Sequence, residues 1–109
     1  MRQWDVFDFS FPHPIGLHPG VILLPEEVTL NPDIKTINVL VVMTVRAGFQ
    51  AGRYDVMLNG ADGLDHLSRV KVSPILEIDK VKAGRKRGSL STTRQKIVAK
   101  KIKEVYRLD

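Results

Sequence analysis

The sequence predicts a mainly β domain with one C-terminal α-helix, and three observations support this prediction. Short apolar or alternating segments recur between residues 4 and 78, separated by stretches rich in Gly, Pro, Asn and Asp. From residue 92 onward the apolar residues change to helical spacing. Strands and helices do not alternate as they do in parallel α/β domains. We therefore expect five or so short strands in a small antiparallel, barrel-like sheet packed against a helix, within a single domain of residues 1–109.

The first half of the chain contains three predicted strands. Residues 4–11 alternate between apolar and polar, with the phenylalanines on one face, which is typical of a half-buried strand. FPHPIGLHPG, residues 11–20, is so rich in Pro and Gly that it predicts a surface loop, and GVILLP then predicts a short buried strand. INVLVVMTV, residues 37–45, is β-branched and apolar almost throughout, so it predicts a central strand covered on both faces.

The middle of the chain alternates between predicted loops and strands. The segments are a loop at 46–53 with an arginine at each end, a strand at 54–58, a glycine-containing turn at 59–63, a strand at 68–78 and a basic connection at 79–89. Pro74 is expected to bend or end the strand in which it lies, because proline cannot donate a backbone hydrogen bond.

The last segment, TTRQKIVAKKIKEVYRL, predicts an amphipathic helix. Its apolar residues at three- and four-residue spacing are Ile97, Val98, Ile102, Val105 and Tyr106. Thr92 and Gln95 fit a capping box at its start, and Ser91 is an alternative cap one residue earlier.

Charge is distributed unevenly along the chain. The formal net charge is +5, yet up to Val45 there are two basic residues against five acidic ones, and from Arg46 onward fifteen against seven. A basic half favours a polyanionic partner, nucleic acid before membrane, because few exposed aromatic residues accompany the charges. The alternative is that lysines on the terminal helix only keep it soluble.

Composition excludes several classes of protein. The chain has no cysteine, which excludes a disulfide scaffold and a thiolate metal site. The three histidines have no metal-ligand spacing, so we expect neither a structural zinc nor another cofactor. No apolar run approaches the roughly 18 residues needed to span a bilayer. Because the N-terminus lacks the apolar segment of a secretory signal, we expect a cytoplasmic protein.

No local catalytic motif is present, so any active site must be assembled from loops. Cleavage of an RNA phosphodiester suits such a site because the substrate supplies its own nucleophile, the 2′-hydroxyl. The protein then needs a proton-transfer group and cations or donors for the phosphate. His18, Thr44, Arg46 and Arg53 are of these types and lie in or beside two predicted loops. The alternatives are a loop histidine that packs on Pro19, an ordinary strand threonine and solvated loop arginines.

Several short motifs, in order, resemble the MazF/PemK family of type II toxins over about residues 2–107. RQWDVFDF is similar to the opening R-G-D strand of the family, with Trp4 at the usual glycine. HPGVILL is similar to the R-P second strand, and INVLVVMT to the strand that ends in threonine or serine. DGLDHLSRVKV is similar to the G-L-x(2-4)-S-hydrophobic stretch of the family, and EIDKVKAGRKRGSLS to the motif in which I-D-K leads through a basic linker to G-x-L-S at the start of the terminal helix.

This resemblance implies an SH3-like barrel that forms a homodimer, cleaves single-stranded RNA selectively and without metal, and is inhibited by a cognate antitoxin. The catalytic pair of the family is an arginine directly before the proline of strand two and a threonine or serine at the end of strand three. His18 stands at the arginine position, before Pro19, and Thr44 matches the second position. We therefore expect His18 to transfer protons.

The other expected site residues follow from charge and position. We expect Thr44 and Arg46 to hold the phosphate, with Arg53, Arg69 and Lys71 along the RNA path. Two alternatives remain open. One is a homologue without catalysis, which only binds nucleic acid or antitoxin because the family arginine is absent. The other is an inhibitor of DNA gyrase like the related toxin CcdB, although EVYRLD has no aromatic pair suited to that contact.

Overall fold

The computed structural model describes residues 1–108 and contains seven strands and two α-helices. The strands are β1 Asp5–Phe11, β2 Gly16–Ile22, β3 Thr36–Thr44, β4 Asp55–Leu58, β5 Ser68–Lys71, β6 Leu76–Asp79 and β7 Ala83–Ser89. The helices are α1 Glu26–Thr29 and α2 Thr92–Tyr106, and short 3-10 turns lie at Gly60–Asp62 and Lys80–Lys82. The predicted fold class, a mainly β domain with a terminal helix, is confirmed.

All strand pairs are antiparallel, and β3 is the hub of the sheet. The strands follow the order β4-β5-β3-β2-β1-β7, and β6 also pairs with β3. The beginning of β3 pairs with β6, its middle with β2 and its end with β5. A sheet in which one central strand pairs with three others is consistent with a small barrel-like fold.

The core has two clusters, and β3 supplies both. Leu40 and Val42 face the cluster that packs under α2, whereas Ile37, Val39 and Val41 face the cluster built around the rings of β1. Because successive strand residues point to opposite sides, β3 is buried on both faces, as predicted.

Helix α2 begins at Thr92 with Ser91 as its N-cap, whose hydroxyl accepts the backbone N–H of Arg94 at 3.2 Å. The alternative cap is therefore the correct one. Val98 is fully buried, but Ile97 and Tyr106, predicted in the apolar stripe, are 42% and 38% exposed. These two residues lie at the margin of the helix face that packs on the sheet.

Two predicted loops are wrong. Within residues 11–20, Gly16–Gly20 already belongs to β2, and His18 pairs with Phe9 of β1. Gly20 is required there because a Cβ atom would lie 2.9 Å from Cδ2 of Phe9.

The basic connection at 79–89 contains β7, which pairs with β1. As an edge strand β7 needs no apolar alternation, and its charges suit an exposed edge.

Pro74 does end a strand, since the predicted strand at 68–78 is divided into β5 and β6 on either side of it. Trp4, which stands where the toxin family that the sequence resembles has a glycine, has φ 74°, the left-handed region that glycine adopts easily. Its backbone donates to the carbonyl of Ile22 and accepts from Leu90, and its ring packs on the first cluster. These contacts hold tryptophan in a conformation that L-residues rarely adopt.

Asp5 joins β1 to β7 from a buried position. Its carboxylate accepts hydrogen bonds from the Ser89 hydroxyl at 2.6 Å and the Arg2 backbone N–H at 2.9 Å, and Lys86 lies 3.6 Å away. Burial by itself raises the pKa of Asp5, but the hydrogen bonds from Ser89 and Arg2 and the nearby positive charges outweigh it. The pKa is therefore lowered.

Candidate functional site

One cavity of about 430 Å³ gathers four of the six predicted site residues. Its lining residues are His18, Met43, Thr44, Arg46, Phe49 and Arg69. The other two predicted residues, Arg53 and Lys71, do not line it. An imidazole, a hydroxyl and two guanidinium groups thus face one space from three different parts of the chain.

Strand pairing explains why these residues meet. The end of β3 pairs with β5, so that Met43 lies opposite Arg69 and Thr44 opposite Ser68. The pairing continues past Thr44, since the N–H of Val45 donates to the carbonyl of Leu67 at 2.9 Å. β2 runs beside β3 and contributes His18.

His18 is half-buried, and its Nδ1 atom is buried without a hydrogen-bond partner among the described residues. A neutral imidazole has one donor and one acceptor nitrogen, and buried polar atoms are rarely left unpaired. Such an atom is typical of a position where a water or a substrate group binds. His13 and His66 are exposed and do not line the cavity.

The loop between β3 and β4 covers one side of the cavity. Within it the N–H of Phe49 donates to the carbonyl of Arg46 at 3.1 Å, and Gly48 has φ 84°, which closes a tight turn. This turn places the ring of Phe49 over the guanidinium of Arg69, with 4.9 Å between the guanidinium carbon and the ring centroid. Thr44 and Arg46 remain exposed.

Arg69 is the most firmly held group of the cavity. Its Nη1 donates to Oδ1 of Asp55 at 2.8 Å, and its Nη2 lies 3.9 Å from the sulfur of Met43. The two charged side chains are only 21% and 9% exposed. A partly buried, geometrically good ion pair of this kind is ordered more strongly than a surface pair.

Arg53 and Lys71 lie outside the cavity. The guanidinium of Arg53 lies 5.2 Å from the ring centroid of Tyr54, and Lys71 is the strand partner of Asp55. Sequence reasoning missed Met43, Phe49 and Asp55. The only available signal for Phe49 was an aromatic residue between two glycines and two arginines in one loop.

Two further features concern residues 1–108 as a whole. No three His, Asp or Glu side chains within this range are grouped so that they could hold a metal ion. None of the helices in the same range combines the length and the apolar character needed to cross a bilayer.

Residues 2–106 match the family described as PemK-like, MazF-like toxin of type II toxin-antitoxin system. No curated protein sequence matches the chain significantly.

Among solved structures, the Mycobacterium tuberculosis toxin MazF-mt6 is 22% identical with a TM-score of 0.79, covering 96% of this chain and 98% of its own. An endoribonuclease in complex with its cognate antitoxin from a mycobacterial species is 14% identical with a TM-score of 0.81, covering 100% and 97%. The MazE-MazF complex from Deinococcus radiodurans is 14% identical with a TM-score of 0.74, covering 100% and 97%. At such identities the likeness shows the fold.

Proposed function

Because the chain belongs to the PemK-like, MazF-like family of type II toxins, we propose that it is a metal-independent, sequence-selective endoribonuclease that cleaves single-stranded RNA. The observation that carries this proposal is the cavity in which an imidazole, a hydroxyl and two guanidinium groups meet. These groups can supply proton transfer and charge stabilisation, the two needs of RNA transesterification.

In the proposed reaction the 2′-oxygen of the substrate attacks the adjacent phosphorus and the bond to the 5′-oxygen breaks. The products are a 2′,3′-cyclic phosphate and a free 5′-hydroxyl. The proton of the 2′-hydroxyl must leave, and the departing 5′-oxygen must gain one. His18 transfers these protons, because an imidazole ring can both accept and donate a proton. Thr44 donates its hydroxyl to a phosphate oxygen, and Arg46 contributes positive charge.

Because His18 stands at the position of the family arginine, proton transfer and the permanent positive charge fall to different residues in this chain. An arginine carries a permanent charge, whereas an imidazole carries one only when protonated. In this chain the permanent charge must come from another residue, and the cavity contains guanidinium groups from elsewhere in the fold.

Substrate RNA extends beyond the cavity in this proposal. Arg53, Arg69 and Lys71 contact its backbone, and a homodimer completes the groove along the subunit interface. A cognate antitoxin inhibits the enzyme in the cytoplasm. The support is the toxin family itself and two neighbours of similar fold, which form complexes with an antitoxin or with MazE.

The proposal is tested by incubating the purified protein with mixed-sequence RNA in excess EDTA. We expect short fragments that end in cyclic phosphate or 3′-phosphate. His18→Ala should reduce the cleavage rate about 10²- to 10⁴-fold, the usual contribution of general acid–base catalysis. Thr44→Val, which keeps the shape and removes the hydroxyl, should reduce it as well.

His66→Ala is the matched control, since His66 is exposed and does not line the cavity. Its rate should equal that of the wild type. Intact RNA across a wide pH range would refute the nuclease.

One observation, the histidine at the arginine position, favours a second candidate: a homologue that binds RNA or antitoxin without cleavage. A 2′-O-methyl RNA, which cannot be cleaved, measures binding alone. Salt-dependent binding of this RNA together with intact natural RNA would identify the second candidate.

If the RNA path is correct, Arg53→Gln and Lys71→Gln each reduce the slope of log affinity against log salt by about 0.7.

A further inference from the structure

We propose that Arg69 is the fixed cation of the cavity, the guanidinium that binds the phosphate oxygens during cleavage, and that Asp55 is its positioning residue. This inference rests on the proposed function, since it names the group that holds the reacting phosphate. It assigns to Arg69 a role beyond general contact with RNA, and it gives a role to Asp55, which sequence reasoning did not select.

The two arginines of the cavity differ in how far they are ordered. Arg46 is exposed in the loop after β3. Arg69 lies in strand β5 with only 21% of its side chain exposed. A long exposed side chain must lose rotamer freedom when it binds a ligand, whereas Arg69 has already lost it on folding. Arg69 is therefore the better preorganised of the two.

Asp55 holds Arg69 and is itself held. Its Oδ1 accepts from Arg69 at 2.8 Å, and its Oδ2 accepts from the backbone N–H of Gly52 at 2.8 Å. In the β4–β5 pair Asp55 lies opposite Lys71, two residues along from Arg69, so the ion pair is a diagonal contact on one face. The carboxylate thus links the loop before β4 to the arginine of β5.

Phe49 and Met43 restrict the guanidinium further. The ring centroid of Phe49 lies 4.9 Å from the guanidinium carbon, a cation–π distance, and the sulfur of Met43 lies 3.9 Å from Nη2. The guanidinium is therefore held by contacts with three side chains, those of Asp55, Phe49 and Met43.

The held guanidinium keeps donors for a ligand. Of its five N–H groups, the contacts within residues 1–108 use one toward Asp55 and one toward the sulfur of Met43. Three N–H groups are left over, and a planar guanidinium matches two oxygens of a phosphate. Because Arg69 and His18 line the same cavity, the permanent charge absent from position 18 enters from β5 instead.

The carboxylate of Asp55 also offsets part of the positive charge of Arg69, so its replacement has a measurable consequence. Asp55→Asn frees that charge but loosens the orientation of Arg69. It should therefore lower kcat while KM stays within about 2-fold of the wild type, because a misplaced group can cost up to about 10²-fold in rate. Loss of a merely structural contact would not separate kcat from KM in this way.

The test measures cleavage of one RNA by the full chain and four variants. Arg69→Gln should lower kcat about 10²- to 10³-fold, the usual loss when one transition-state donor is removed. Arg69→Lys should also lower kcat at least about 10-fold, since an ammonium group lacks the planar fork of a guanidinium. Asp55→Asn should lower kcat about 10- to 100-fold. Arg85→Gln is the control, because Arg85 is exposed on β7 and does not line the cavity.

Arg69→Gln with wild-type kcat would overturn the assignment of the cation. Asp55→Asn that changes KM alone would overturn the positioning role. A second measurement needs no variant and no cleavage: the side-chain Nε–H signals of the wild type are followed by NMR while inorganic phosphate is added. The Arg69 signal should shift, and a shift of Arg46 alone would overturn the proposal. If the wild type cleaves no RNA, the proposed function fails and the role of Arg69 in cleavage fails with it, but this titration still decides whether Arg69 binds phosphate in the cavity.

Discussion

Gly20→Ala is expected to destabilise the protein at the strand that carries His18. A Cβ atom at position 20 would lie 2.9 Å from Cδ2 of Phe9 and 3.2 Å from Cζ of Phe11. Both rings are buried, with exposures of 0% and 5%, so neither can swing away. Overpacking of a core in this way costs about 1–3 kcal/mol. For a domain of this size, about 2 kcal/mol lowers Tm by roughly 8–16 °C.

The assay is thermal unfolding, followed by circular dichroism at one protein concentration for all variants, because an oligomer would make Tm concentration-dependent. Gly60→Ala is the matched control, since nothing lies within 4 Å of its added Cβ and its φ is ordinary. It should melt within about 2 °C of the wild type, as surface substitutions usually do. A Gly20→Ala protein that melts like the Gly60→Ala control would refute the close packing between β2 and the rings of β1.

Two further predictions concern the ends of the sheet and the helix. The lowered pKa of Asp5 means that its carboxylate stabilises the fold above the unfolded value of 3.8 and loses this effect as the pH falls through the folded value. Asp5→Asn should therefore cost about 1–3 kcal/mol at neutral pH, and urea titrations should show the difference shrinking in acid; a constant difference at every pH would contradict this. Ser91→Ala removes the cap of α2 and should cost about 1 kcal/mol, whereas Thr92→Ala should cost less. Equal losses in urea denaturation would show that the cap is assigned to the wrong residue.

Local sequence patterns predicted most of the fold because most elements carry the hydrophobic spacing that is typical of a strand or a helix. The apolar run of β3 reflects burial on both faces, and the change to helical spacing marks α2. The start of β2 and the whole of β7 escaped prediction for a common reason. Their residues are in strands because β1 pairs with both, and neither segment carries an alternating pattern of its own.

The candidate site was predictable in its residue types and less so in its arrangement. His18, Thr44 and Arg46 were found from loop position and chemistry, and they line one cavity with Arg69. The ion pair between Asp55 and Arg69 depends on the register of β4 against β5, which no local pattern encodes. Arg53 was selected on the same grounds as Arg46, yet its side chain lies on Tyr54 instead.

The claim that His18 transfers protons is tested most directly by chemical rescue. The measurement is the rate at which His18→Ala cleaves RNA in EDTA, with and without added imidazole, beside the wild type. If His18 transfers protons, the variant is slow and its rate rises with imidazole concentration, because the free base enters the space that the side chain leaves. A His18→Ala protein that cleaves at the wild-type rate without imidazole would contradict it.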